Sequence, residues 1–281
     1  MAGVGFIGCG HMGGTLLRRL LATGVLAPSE VVATSRSSAI LATIAAEFPG
    51  LTIVAGNSAA ARSRDLLFLG VGTMSALPVM LEIGAAASEG CHLVFMNGGL
   101  SIEAVERLYP GPVTKIMPTL LAQQGEGFTL VCHGGRVGLG AAAAVERLLG
   151  ALGGILRIEE EQFDAASELT SCAPALIAAI CDDFARRGAE EAGLSEAEAR
   201  SLVTASLLGT ARLLSSEGES YRDLIGRVAT RGGASEAGVA VLDAGLPQLF
   251  AAVFKASAYR HAARRAATEA QLAEFLALQR G

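Results

Sequence analysis

The first half of the chain alternates short apolar runs with stretches of helical periodicity. An apolar run opens at Val4, and residues 15–21 then repeat apolar positions at helical spacing. Val31–Thr34, 51–54, 65–71, 92–96, Val113–Met117 and Phe128–His133 read as strands. Residues 40–48, 59–64 and 74–87 read as helices between them, and Ser101 is placed to cap another. The run Asp-Leu-Leu-Phe-Leu-Gly-Val at 65–71 has no polar face, as befits a parallel strand covered on both sides. Strand–helix alternation predicts a right-handed, doubly wound α/β sheet with Phe128–His133 as its last strand.

From about Glu159 the period changes, and no strand pattern follows. Residues 163–188 read as helical with a break near Pro174, followed by helices over 195–216, Tyr221–Val228, 237–242 and 246–277. The expected division is an α/β domain over 1–158 and an all-α domain over 159–281. Segments 173–180 and 240–254 are apolar on most faces and must be buried against the first domain, another subunit or both. Apolar runs are interrupted short of about 18 residues, so no transmembrane helix is expected. No charged segment precedes an apolar one at the N-terminus, so no signal peptide is expected either.

The 281 residues are 51% apolar but hold no Trp, so Ala, Leu and Val must do most of the packing. A net charge of −5 without a basic run argues against nucleic acid as a partner. Cys9, Cys91, Cys132, Cys172 and Cys181 show no C-x-x-C spacing, and no two of His11, His92, His133 and His261 have metal spacing. Neither a metal site nor a disulfide framework is expected, and a reducing cytoplasm fits.

The chemistry begins at the first strand–helix turn. Gly8, Gly10 and Gly13 form G-x-G-x-x-G between an apolar run and a helix, the context of a dinucleotide site. Gly8 permits the tight turn, Gly10 lets backbone approach a pyrophosphate, and Gly13 lets helix pack on strand. His11 and Met12 lie inside this loop, where the helix N-terminus offers free N–H groups to phosphates. The second strand ends in Ser35-Arg36-Ser37 rather than in the Asp or Glu that binds an NAD ribose. A guanidinium with a hydroxyl on each side suits a 2′-phosphate, so NADPH is the expected cofactor. Asn97 and Gly98, with Gly99, follow a strand at the sheet's C-terminal edge and allow backbone to approach the nicotinamide ribose.

The order of Gly8-x-Gly10-x-Met12-Gly13, Ser35-Arg36-Ser37, Met117-Pro118, Gly125-Glu126-Gly127 and Gly232-Gly233-Ala234-Ser235 resembles the pyrroline-5-carboxylate reductase family over nearly the full length. Leu194-Ser195-x-x-x-Ala199 and Leu208-Gly209-Thr210-Ala211 are similar to that family's second-domain helices. The resemblance implies an N-terminal NADP-binding Rossmann domain and a C-terminal helical domain that forms a homodimer or higher homo-oligomer. It implies reduction of a cyclic imine, 1-pyrroline-5-carboxylate to proline. It also places Asn57 near the adenosine ribose and Val71-Gly72 after the fourth strand, where the family has Val-Lys-Pro.

By the same resemblance Ser235 contacts the imine nitrogen, and the backbone N–H groups of Gly232, Gly233, Ala234 and Ser235, opening the next helix, are placed to hold a substrate carboxylate. Read from the residues alone, Ser235 is an N-cap of a helix starting near Glu236. Arg231 stands where the family has Pro, and it faces solvent, Glu236 or a substrate carboxylate. The departures Thr119-Leu120-Leu121, Thr170-Ser171-Cys172-Ala173 and Arg231 cluster around the substrate region. They leave open a related reductase with another substrate, or a non-catalytic NADP(H)-binding protein. A β-hydroxyacid dehydrogenase ranks low, because the chain's lysines, Lys115 and Lys255, are poorly placed for that chemistry. Cys172, beside Pro174, reads as a small buried residue.

Overall fold

A computed structural model describes residues 3–62, 64–218 and 220–278, and among these eight strands form one sheet. They are β1 (Val4–Ile7), β2 (Val31–Thr34), β3 (Thr52–Ile53), β4 (Leu66–Leu69), β5 (His92–Phe95), β6 (Val113–Met117), β7 (Phe128–His133) and β8 (Gly154–Arg157). Their spatial order is β3-β2-β1-β4-β5-β6-β7-β8. Every neighbouring pair is parallel except β6 and β7. The strand order reverses between β1 and β4, and the crevice beyond their C-terminal ends is where such sheets bind ligands.

Both faces are covered, as the alternation predicts. On one face α1 (His11–Ala22), α2 (Ser38–Glu47) and α6 (Leu139–Leu149) bury Leu16, Leu17, Leu20, Ile44, Leu148 and Leu149 against Phe6 and Phe68, whose rings stack at 4.7 Å. On the other, α3 (Asn57–Ala61), α4 (Thr73–Ala86) and α5 (Ile102–Glu106) bury Ala60, Leu77, Met80, Ile83 and Val105 against Ile7, Leu67, Leu69 and Phe95. Full burial of each leucine is worth about 1.5–3 kcal/mol. Ser101 caps α5, accepting from the Ala104 N–H at 3.1 Å.

Three features of the sheet differ from the sequence reading. α6 and β8 extend it beyond Phe128–His133. The run Ala141–Ala144 marks no apolar face, and β8 is a four-residue edge strand between glycines and charges. β7 runs antiparallel to β6 because residues 118–127 are too few for a crossover helix, which takes about a dozen residues. The connection is instead a 3₁₀ turn, Leu120–Gln124, followed by Gly125 and Gly127 at φ of 76° each.

The chain divides into two units, residues 1–172 with 258–281, and residues 173–257. α7 (Phe163–Thr170) and the last part of α11 (Ala234–Leu278) therefore group with the sheet. In the second unit α8 (Ala173–Ala192) and α9 (Glu196–Glu217) pair through Ala185, Ala189 and Ala199. Ser195 caps α9, and Glu198 returns to the Ser195 N–H at 2.9 Å. α10 is Tyr221–Val228. The separate helices expected over 237–242 and 246–277 are one, since α11 continues through Pro247. The break expected near Pro174 lies at Ser171-Cys172, with Pro174 in the first turn of α8, where its missing N–H costs nothing.

The expectation that no stretch is long and apolar enough to cross a membrane is not met. Glu160–Ala192 and Ala234–Ala277 both qualify by length and composition. Scattered charges such as Lys255 interrupt the apolar runs but leave the mean hydropathy of these helices high. In the second unit Ile177, Ile180, Phe184, Leu202, Val241, Leu242 and Phe254 are exposed.

A polar chain crosses three strands. His92 Nε2 lies 2.7 Å from Thr114 Oγ1, which lies 2.8 Å from His133 Nδ1, and His133 Nε2 is 3.0 Å from Glu146 Oε1. The Glu146 carboxylate accepts, so the His133 Nε2 carries hydrogen and its Nδ1 accepts from the Thr114 hydroxyl. Thr114 in turn accepts from the His92 Nε2–H, so all donors run one way. Arg157 holds Glu146 from outside and keeps its carboxyl below the usual range. Burial, and then the neighbouring His133, push the His92 imidazole down to about 4. His92 thus folds neutral, and unfolding takes up a proton once the pH drops below its ordinary value of 6.5. Its stabilisation is complete above that value and is lost as the pH falls toward 4, by on the order of 2–3 kcal/mol. Denaturant unfolding at pH 7 and pH 4.5 checks this: the wild type should lose more stability between them than His92→Gln does.

Candidate active site

The glycine turn after β1 is held by contacts that leave no room for side chains. Gly8 has φ of 86°, and its N–H donates to the Thr34 carbonyl at 2.9 Å. A Cβ on Gly13 would sit 2.1 Å from the Gly8 carbonyl oxygen, so α1 begins almost in contact with β1. Gly10 is the opposite case, with nothing within 4 Å of a Cβ there. It is the N-cap of α1 and supplies no side-chain bond to the helix N-terminus. The first turn of α1 carries no acid, so its N–H groups and positive dipole end face the opening at Gly10. His11 is exposed and Met12 half-buried at this end. Cys9, in the middle of the turn, is buried, which pushes its thiol up to about 11 and leaves it inert.

The other expected cofactor residues fall along the same sheet edge. Ser35, Arg36 and Ser37 follow β2. Arg36 is exposed, and Ser37 caps α2 without using its hydroxyl. Asn57 opens α3, and its amide donates to Glu82 Oε2 at 2.7 Å. This bond, with those from Ser58, holds the Glu82 carboxyl below its usual range. Asn97 is buried. Its Nδ2 donates to the Val71 carbonyl at 2.9 Å, and its Oδ1 has no partner. Gly72 caps α4 over open space. At Gly98 a Cβ would meet Met117 at 3.1 Å, and at Gly99 it would meet the Thr268 hydroxyl at 2.6 Å. Gly99 therefore makes room for α11. An uncapped helix N-terminus, an open Gly10, an orphaned Asn97 oxygen and an exposed Arg36 together fit a dinucleotide along β2, β1, β4 and β5.

Behind this edge Thr119 is buried, and Ser171 donates to the Pro118 carbonyl at 3.2 Å. A cavity of ≈ 460 Å³ opens beside Gly98-Gly99, and four of its charged side chains pair within it. Lys115 meets Glu160 at 2.9 Å and lies over the Phe163 ring, and Asp164 pairs with Arg265. Lys115 is committed to structure, which agrees with the low rank of a lysine-dependent dehydrogenase.

In the second unit, Gly232 adopts φ of 76° and Gly233 donates to the Thr230 carbonyl at 2.9 Å. α11 already begins at Ala234, so Ser235 lies inside its first turn and is not the N-cap. Glu236 turns its carboxylate back onto the Gly232 N–H at 2.7 Å. Arg231 and Ser235 are exposed.

One constellation escaped the sequence. Against the expectation of no metal-type cluster, Glu168, Cys172 and His261 come together, with Glu168 Oε1 2.7 Å from His261 Nε2. No local signal links residues 93 positions apart. Cys172 is half-buried, and desolvation with the adjacent Glu168 charge raises its thiol above the ordinary value.

Comparisons with known proteins agree with this geometry. Residues 160–264 match the family described as pyrroline-5-carboxylate reductase dimerisation, and residues 3–94 match NADP oxidoreductase, coenzyme F420-dependent. Pyrroline-5-carboxylate reductase 3 of Bacillus subtilis is 25% identical over 256 residues, 91% of this chain and 94% of its own. The fold is shared with a pyrroline-5-carboxylate reductase from Coxiella burnetii, at a TM-score of 0.86 and 24% identity over 94% of this chain and 98% of that one. It is shared also with the Plasmodium falciparum pyrroline carboxylate reductase solved with NADP bound, at 0.81 and 20% over the same shares. The chain is thus similar to pyrroline-5-carboxylate reductases over most of its length, and its residues 160–264 match their dimerisation model.

Proposed function

We propose that this protein is an NADPH-dependent reductase of a cyclic imine, 1-pyrroline-5-carboxylate to proline, working as a homodimer in the cytoplasm. The observation that carries the reading is the empty-handed N-terminus of α1 beyond Gly10, with Arg36 exposed at the end of the neighbouring strand. NADPH, when bound, supplies the hydride. Gly8, Gly10, His11, Met12 and Gly13 take the pyrophosphate on backbone N–H groups. Ser35, Arg36 and Ser37 take the 2′-phosphate, and Asn57 takes the adenosine ribose. Val71, Gly72, Asn97 and Gly98 line the nicotinamide end, where the free Asn97 oxygen can accept a hydrogen bond. Ser235 donates to or accepts from the imine nitrogen as its charge changes, while Arg231, Gly232, Gly233 and Ala234 hold the substrate's acidic end. We keep 158/159 as the functional domain boundary. The five free cysteines support a reducing compartment.

A second reading has one observation in its favour. Glu236 already occupies the Gly232 N–H that a substrate carboxylate would use. That arrangement favours a related imine without an acidic group, and a panel of cyclic imines with and without carboxylates separates the two.

Arg36→Ala should weaken NADPH binding by about 1.5–3 kcal/mol and leave NADH nearly unchanged, since a charge-assisted bond to the 2′-phosphate is lost. Fluorescence titration with both cofactors measures it, and equal losses would contradict the assignment. Ser235→Ala should lower kcat roughly tenfold to a hundredfold with NADPH affinity intact, because one hydrogen bond acting in the transition state is worth about 1–3 kcal/mol. A change in thermal stability alone would instead make Ser235 a residue of the helix start. Sedimentation at micromolar concentration should find a dimer or larger species, since the exposed apolar side chains of α8 and α11 exceed what a monomer ordinarily leaves bare.

A further inference from the structure

We propose that Glu168, Cys172 and His261 form a binding site for a borderline divalent transition metal, with Zn2+ as the fitting ion. Glu168 lies near the end of α7, Cys172 in the joint that follows it, and His261 on the last part of α11, all within the unit built on the sheet. Their ligand atoms lie within 4.8 Å of one another. Bonds of about 2.0–2.3 Å in tetrahedral zinc put ligand atoms roughly 3–4 Å apart, which small side-chain rotations reach from here. One nitrogen, one sulfur and one oxygen donor suit zinc better than magnesium or calcium, which select oxygen.

Two further observations point to an ion. Glu168 is 4% exposed, yet among the described residues its Oε2 has no hydrogen-bond partner. A buried carboxylate oxygen left without a donor is costly, and a cation among these three residues would supply what it lacks. His261 has a carboxylate against each ring nitrogen: Glu168 at Nε2, and Asp164 Oδ1 3.4 Å from Nδ1. Asp164 is held in turn by Arg265. A carboxylate on the far nitrogen of a histidine fixes the tautomer that offers the near nitrogen to a metal. The charges also suit a divalent ion. A thiolate and the Glu168 carboxylate neutralise it, Asp164 pairs with Arg265, and Arg264 lies near enough to Cys172 to favour the thiolate. Three protein ligands leave a fourth position open to water or a small anion. Cys172 stands where the resemblance has serine, so this donor set is a feature of the present chain.

The test uses the full-length protein, treated with a chelator and titrated with Co2+ as a spectroscopic substitute for zinc. One equivalent should give intense tetrahedral d–d bands with a thiolate-to-metal charge-transfer band, and Zn2+ should displace both. Cys172→Ser should abolish the charge-transfer band and weaken Co2+ binding at least tenfold. Asp164→Asn, a change at a positioning residue, should weaken binding roughly tenfold to a hundredfold while retaining the band. Circular dichroism checks that each variant is folded, and the wild-type titration decides the matter even if one is not. A wild-type protein without a thiolate band at one equivalent overturns the proposal, because the network is then an ion-free clamp between α7 and α11. So does a band that survives Cys172→Ser, which would move the thiolate to another cysteine such as Cys132, beside His133.

Discussion

Helix α1 starts in contact with the strand that precedes it, and the arrangement of the sheet edge follows from that contact. The Gly8 carbonyl lies where a Cβ on Gly13 would be, and Gly70 at the end of β4 closes on the same two residues. Three glycines thus bring β1, α1 and β4 together at a distance that only backbone can occupy. The same approach aims the first N–H groups of α1 outward, past Gly10, where among the described residues nothing lies within 4 Å of a Cβ. An opening suited to phosphate is therefore a by-product of packing, because the side-chain space the glycines give up is what exposes their backbone. Gly13 and Gly70 serve the fold, while Gly10 keeps the opening clear.

The helical half obeys a different constraint. α8 and α9 join through three alanines, a contact too thin to cover their leucines and isoleucines. The side chains left bare are the same ones that make Glu160–Ala192 and Ala234–Ala277 apolar enough to resemble membrane spans. Burial against a second copy, as proposed, would satisfy them, and residues 160–264 match a dimerisation model. Apolar character that would be anomalous in a monomer is ordinary at an obligate interface, which resembles a domain core cut in half.

How much of this was legible in the sequence depends on how local each signal is. The β1–α1 turn, the Ser101 cap and the all-α second half are short-range patterns, and they read directly. β8 and α6 did not, because an edge strand of four residues and a run of alanines carry no period. The reversal of β7 was written in the length of residues 118–127 but needs the crossover rule to be seen. Asn97 was placed on the right edge, yet its orphaned oxygen emerges only when Val71 claims the amide. The pairing of Glu168 with His261 was invisible, since α11 must first be one unbroken helix before residue 261 returns to α7.

The departures from the family pattern carry a common physical theme. Glu236, beside the glycine loop, and Cys172, where the resemblance has serine, each make a specific contact here. A carboxylate folded back on the Gly232 N–H raises the cost of admitting a second carboxylate, because like charges at hydrogen-bonding distance repel even when solvent screens them. A substrate acid can bind there only if Glu236 swings away or Arg231 moves in to offset it. Glu236 is exposed, so swinging away costs little more than one hydrogen bond, about 1–3 kcal/mol for a charged acceptor. Such a cost lowers affinity without forbidding catalysis. At the substrate end proposed for this glycine loop, the glutamate would therefore bias selection toward molecules that carry less negative charge without excluding a carboxylate.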